Sequence, residues 1–397
     1  MAEKALARAS GEREVAPGDF VVARVDFVFA HDGTAPLMIR ALSEMGVEEL
    51  ALASKCALFL DHAAPSPSPS TSAMHREIRE FARRRGIRLY DVGEGICHQV
   101  VLEEGYARPG SVVVGADSHT TTHGCRGAFA VGVGSTDAAV ALATGELWFK
   151  VPNTIKVVLE GELKRGVTAK DLALALLSEL GTDGARYAAL EYHGPLAKRL
   201  GLSARATLAN MATEMGAKAA MFPTPEFGPD EDAYYLEEVS IDASVLEPLV
   251  ATPHSPANVV PVTDLEGVEI DEVFIGSCTN GRLEDLEVAA RILEGKRVRT
   301  RCIVIPASRR VYLEACRRGL VETFLKAGCT VCPPTCGPCV GAHMGVLGPG
   351  EVAISTANRN FKGRMGASDS SVYLASPATA AASAVEGRIA DPREYLG

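Results

Sequence analysis

The chain has 397 residues, 47% hydrophobic and 23% charged, a length and balance that exclude a disordered or fibrous protein and exceed one ordinary core. Lys plus Arg number 40 and Asp plus Glu 50, so the net charge of −10 argues against nucleic acid or an anionic membrane as a general partner. Ten cysteines, with no apolar leader in Met1-Ala2-Glu3-Lys4, point to thiols in a reducing cytoplasm. The most apolar long region, 128–149, is interrupted by Asp137 and Glu146 and rich in glycine, so no membrane span is expected.

Residues 19–30 alternate as a strand, and His31-Asp32-Gly33-Thr34 turns out of it into a helix over 35–45. His31 thus sits where a strand meets a helix, the usual place for a site in an open α/β sheet. A capping turn with a surface histidine reads equally well. Ala57–Leu60 is a short strand running into Asp61-His62, and 65–70, alternating proline and serine, forms a loop before a helix over 71–85. A strand at 87–92 leads to a loop, 93–99, that carries His98, and a strand at 111–114 delivers Asp117-Ser118-His119 to another loop. Four successive strands ending in His or Asp suggest a wall of acids and bases at one sheet edge. A single histidine of this kind is more often structural.

Farther on, a helix is expected over 135–147, a strand over 154–159 and a helix over 168–180 capped by Thr168 with Asp171. Gly132-Val133-Gly134 completes no phosphate-binding pattern and suits close helix packing. Glu214, on an alanine-rich helix, reads by itself as a solvated residue. The strands 273–275, 303–305 and 352–354 and the helices 282–293 and 310–318 follow.

Two stretches carry the inorganic chemistry. Gly276-Ser277-Cys278-Thr279-Asn280-Gly281 and Thr335-Cys336-Gly337-Pro338-Cys339-Val340-Gly341 place three thiols in glycine-rich turns, where the main chain can approach a bulky ligand. Cys336 and Cys339 alone suit a redox dithiol, half a zinc site or two ligands of an iron–sulfur cluster. The denser run Cys329, Cys332, Cys336, Cys339 has spacers too short for a zinc ribbon, and Val340 stands where a ferredoxin run has proline. Cys329 and Cys332 read better as small buried residues.

These two motifs, with Val114-Gly115-Ala116-Asp117-Ser118-His119-Thr120 and the run from Ser355 to Gly366, resemble the aconitase superfamily in kind and in order. The resemblance covers the chain from about residue 19 onward. It implies an α/β fold of three α/β/α domains around a cluster cleft, at 1–152, 153–238 and 239–397, without the C-terminal swivelling domain of the single-chain members. It also implies a 4Fe-4S cluster on Cys278, Cys336 and Cys339, leaving one iron open to a small hydroxy-carboxylate substrate.

By position in the motifs, Asp61, His62, His98, Asp117 and His119 are the catalytic acid–base candidates. Asn210-Met211-x-x-Glu214 matches a pattern the family carries near its cluster, which promotes Asn210 and Glu214. Arg359 and Arg364 would grip substrate carboxylates, with Ser118, Asn280 and Asn358 as lesser hydrogen-bonding candidates and His31 where single-chain aconitases have glutamine. The implied activity is that of a hydro-lyase, completed by a separate small subunit carrying the carbon-proton base and part of the specificity pocket. Isopropylmalate, on the route to leucine, is the favoured substrate, ahead of homoaconitate and citramalate. A non-catalytic iron–sulfur sensor is the reading from another class, and the acidic balance disfavours it.

Overall fold

The computed structural model describes residues 1–396. The chain forms two compact units: Met1–Val92 with Cys97–Leu159 and Asp183–Ser240, and Gly93–Ile96 with Glu160–Thr182 and everything from Ile241 onward.

In the first unit five parallel strands lie in the order Arg88–Tyr90, Cys56–Phe59, Phe27–His31, Val112–Gly115, Phe129–Gly132. Three of them, Phe27–His31, Cys56–Phe59 and Val112–Gly115, are buried along their whole length, which is why they read as continuous apolar runs. The chain starts in the middle strand, Phe27–His31, winds outward through two more strands, then returns to place Val112–Gly115 on the middle strand's other side. The order therefore reverses between these two neighbours, and their C-terminal ends open a crevice.

The expected strand over 19–30 is two strands. Phe20–Arg24 pairs antiparallel with Glu146–Lys150 in a separate ribbon, and only Phe27–His31 enters the main sheet. The same ribbon ends the helix expected over 135–147: it stops at Thr144, where Gly145 adopts φ +82° and the chain turns into the strand. The helix at Pro69–Arg85 begins two residues before its expected start, with the Ser68 hydroxyl accepting from the Thr71 amide. A second sheet, ordered Ala219–Met221, Ala189–His193, Thr154–Glu160, Glu237–Asp242, follows in the chain.

In the second unit seven strands run Val259–Pro261, Leu249–Ala251, Ser371–Ala375, Val352–Ser355, Glu272–Ile275, Arg301–Val304, Thr330–Val331. The last five are mutually parallel. Here too the order reverses, between Glu272–Ile275 and Val352–Ser355. Cys329 and Cys302 belong to this unit's apolar core.

Close backbone approach holds the histidine-bearing turn of the first unit in place. A Cβ on Gly124 would lie 1.7 Å from the Ala220 carbonyl oxygen, in a strand that cannot withdraw without breaking its own ladder. Gly124→Ala is expected to destabilise the protein by at least about 1–3 kcal/mol. Gly201→Ala, at an exposed position with φ −68° and open space around it, should leave the unfolding midpoint nearly unchanged, so chemical denaturation of the pair checks the packing argument.

Candidate active site

The carboxylate of Asp117 is the centre of the first unit's reversal point. It follows the strand Val112–Gly115, and its Oδ1 is 2.8 Å from His98 Nε2 and accepts the His119 amide at 2.7 Å. Its Oδ2 is 3.2 Å from Nε2 of His31, at the end of the neighbouring strand, and 3.8 Å from His62 Nε2. The His31 and His62 rings stack at 3.6 Å. His31 is therefore a buried member of the site, 5% exposed, and the reading as a surface histidine is corrected.

Two further carboxylates each pair with a histidine of the group. Asp61 Oδ1 is 2.8 Å from His62 Nδ1 while its Oδ2 accepts the Cys97 amide, and Glu214 Oε1 is 2.9 Å from His119 Nε2. Glu214 is buried, in a 3₁₀ turn at Ala212–Met215, not on a solvated helix face. Asn210 donates to the Thr122 hydroxyl, and the Ser118 hydroxyl lies 3.5 Å from His119 Nδ1. His98, expected on a loop, sits in the first turn of the helix Cys97–Glu103. Asp117, also expected on a loop, caps a 3₁₀ helix, Ser118–Arg126. Helical geometry, stiffer than a loop, fixes these groups.

Burial and charge compete at each group. Burial is the largest influence on Asp61 and disfavours its ionised form, but the His62 charge and hydrogen bond, the His31 charge and the Cys97 amide together bring its pKa down to about 2. Asp117 follows the same pattern, and against its burial the histidines hold it well below the ordinary carboxylate range. His98 is pushed down, because complete burial outweighs the attraction of Asp117. An ionised carboxylate only accepts, so His98 Nε2 and His62 Nδ1 carry their protons toward Asp117 and Asp61. The His62 Nε2 is then the atom left to exchange a proton, on the most exposed ring of the group, at 17% side-chain exposure.

In the second unit Cys278 follows the strand Glu272–Ile275, and Asn358 follows its neighbour across the reversal, Val352–Ser355. Ser277 precedes Cys278 at φ +72°, a conformation a non-glycine residue adopts only under constraint. Gly337 and Gly341 take φ +57° and +66° around Cys339, where a side chain would be strained. The Asn358 side chain reaches two of the sulfurs, with Nδ2 3.6 Å from Cys278 Sγ and Oδ1 4.0 Å from Cys339 Sγ. Cys278, Cys336 and Cys339 are 4–7% exposed, and no disulfide joins them. Buried thiols on glycine turns, with an amide donor aimed at sulfur, are the donor set that suits an iron–sulfur cluster. In the same unit Arg359 and Arg364 are half-buried, and Arg364 Nε is a buried donor with no hydrogen-bond partner among the described residues.

Several residues of these sites were not singled out in the sequence. Asp32 accepts the amides of His62 and Ala63 and lies 3.0 Å from His75 Nε2, so it fixes the His62 turn. Lys170 and Arg282 are buried cations near the thiol turns. The signal was available, because His75 lies in one helical stripe with Ile78, Phe81 and Ala82, and Lys170 in one with Ala173, Leu174 and Leu177. A charged or titratable residue at an apolar-face position has to have a partner.

One unit with a parallel sheet and buried acid–base pairs at its strand reversal, and another with a parallel sheet and buried thiols on glycine turns, define an α/β protein that carries both proton-transfer groups and a candidate thiol site. The aconitase family (aconitate hydratase) matches residues 4–227 and 262–387, and the chain belongs to that family. It is 54% identical over 415 residues to 3-isopropylmalate dehydratase large subunit 1 of Methanopyrus kandleri, covering 100% of this chain and 99% of that protein. It is 51% identical over 391 residues to a probable methanogen homoaconitase large subunit of Methanosarcina mazei, covering 94% of this chain and 100% of that one. Among solved structures, the holo-form of Thermococcus kodakaraensis aconitase X aligns with a TM-score of 0.55 at 15% identity, over 85% of this chain and 84% of that one, and shares the fold. No helix among the described residues is long and apolar enough to cross a membrane.

The pKa directions set a pH dependence. Asp61 is depressed from 3.8 to about 2, so its contribution to stability is complete above pH 4 and lost as the pH falls toward 2. Its size is about 2 kcal/mol. His98, depressed from 6.5, costs stability as the pH falls below 6.5, because the unfolded chain then takes up a proton the buried ring resists. Urea unfolding at a series of pH values should show stability declining below 6.5 and again below 4. Asp61→Asn should flatten the second decline, and an unchanged slope would refute the assignment.

Proposed function

We propose that the chain is the large subunit of a hydro-lyase that interconverts 2- and 3-isopropylmalate, a step on the route to leucine, by removing and re-adding water. The observation that carries the reading is the coexistence, on a chain matching large subunits of that name over its full length, of ionised carboxylates bonded to histidine and three buried thiols. Cys278, Cys336 and Cys339 would hold a 4Fe-4S cluster, which when bound supplies Lewis acidity to the substrate hydroxyl.

The chain's own residues supply the rest. His62, oriented through Nδ1 by Asp61, presents Nε2 to donate a proton to the departing hydroxyl and to retrieve it on rehydration. Asp117 holds His31 and His98 in register, and Glu214 fixes His119. The unsatisfied Arg364 Nε, with Arg359, is suited to a substrate carboxylate in forked geometry. Burial of most of these groups excludes water that would compete for the transferred proton. The term "large subunit" in the relatives' names supports a separate small subunit as partner, carrying the carbon-proton base.

Homoaconitate is the second reading, favoured by the 51% identity to the M. mazei protein. Chain reconstituted anaerobically with iron and sulfide, and mixed with its small partner, is expected to hydrate the isopropylmaleate intermediate faster than the homoaconitate analogue. The reverse ratio would replace the first reading by the second. Serine at Cys278, Cys336 or Cys339 should abolish iron uptake and turnover, and full iron content in all three variants would refute the cluster assignment. Arg364→Lys should raise KM on the order of tenfold with iron content unchanged, because an ammonium cannot form the paired bond.

A further inference from the structure

Lys170 is wholly buried, and the carboxylates of Asp285 and Asp171 attract its charge without hydrogen-bonding to it. Its Nζ instead donates to the carbonyls of Thr356, at 2.9 Å, and Ala357, at 2.6 Å, and reaches Asn280 Oδ1 at 3.4 Å. Thr356 and Ala357 immediately precede Asn358, the side chain that contacts two of the sulfurs. Asn280 lies two residues beyond Cys278 and is anchored by Asp285 at 2.9 Å. One ammonium therefore ties together the turns that follow the two strands of the reversal.

The lysine is itself rigidly delivered. It lies in the first turn of the helix Ala169–Leu180, whose start is locked by a Thr168–Asp171 capping box, and Asp171 Oδ1 also accepts the Leu249 amide. Burial pushes its pKa down to about 8, so it remains mostly charged at neutral pH. A buried cation without an ion pair is costly unless a counter-charge is near. Arg282 repeats the pattern by donating to the carbonyls of Cys278 and Thr279. Two buried cations thus border the thiol turns; Asp285 attracts both, and three thiolates around an iron–sulfur cubane would add to that counter-charge.

We propose that Lys170 is a positioning residue of the thiol site: it locks the Asn358 turn to the Cys278 turn and stations a positive charge near the sulfurs of Cys278 and Cys339. The proposal rests on the cluster reading above. Three variants separate its two duties. Lys170→Met removes donor and charge, Lys170→Gln keeps a donor without charge, and Lys170→Arg keeps both. Each is compared with wild type as reconstituted full-length chain, by iron content, rate of iron loss to a chelator and the midpoint potential of the cluster, with circular dichroism as the check on folding.

Iron affinity should fall at least tenfold in Lys170→Met, within the range seen when an outer partner of a metal ligand is lost. Lys170→Gln should fold and retain more iron, but with a midpoint potential more negative than wild type, since reduction adds charge no longer offset. Lys170→Arg should bring the potential back toward wild type. A Gln variant with wild-type potential and iron-loss rate would overturn the proposal, even if the Met variant did not fold. Wild-type chain that took up no iron would instead refute the cluster reading, and the two failures are distinguishable.

Discussion

Each site depends on one topological constraint, the reversal of strand order within a parallel sheet. Where two neighbouring parallel strands send their connections in opposite directions, no crossover of that sheet runs over the gap between their C-terminal ends, and the residues just beyond them can meet there. In the first unit the reversal separates Phe27–His31 from Val112–Gly115, and His31 meets Asp117 there. In the second it separates Glu272–Ile275 from Val352–Ser355, and Cys278 meets Asn358. The same backbone arrangement carries carboxylates and histidines in one case and a thiol in the other, so what distinguishes the two sites is the grafted side chains and not the fold.

Around Asp117 the electrostatics set a direction for the chemistry. Burial by itself would raise the pKa of this carboxyl. The surrounding histidines reverse that outcome, and the resulting anion fixes which ring nitrogens carry protons. His98 shows the opposite balance, since its burial prevails and the ring stays neutral. A charged carboxylate beside a neutral ring is a stable scaffold, and His62 is the most exposed ring of the group.

At the thiol site, irregular backbone does comparable work. Ser277 in a left-handed conformation and glycines at 337 and 341 bend the chain tightly enough to bring Cys278 and Cys339 within reach of one asparagine. Such turns leave carbonyls pointing inward, and Lys170 and Arg282 satisfy two consecutive carbonyls each. Positive charge and turn geometry are therefore supplied by the same two side chains.

Much of this was legible in the sequence. The continuous apolar strands, the Thr168 cap and the glycine-flanked thiols are local features, set by periodicity and by backbone freedom within a few residues. Elements that depend on distant pairing are not legible there: the segment 19–30 splits because Phe20–Arg24 finds its partner at Glu146–Lys150, and that pairing also shortens the preceding helix. Sequence alone determined which residues carry acids, bases and thiols and that they follow strand ends. Tertiary structure decided which of them touch, that His31 and Glu214 are interior, and that Asp32, His75 and Lys170 belong with them. A residue's own neighbours in the chain reveal its propensity, but a buried charge is explained only by partners far away in sequence.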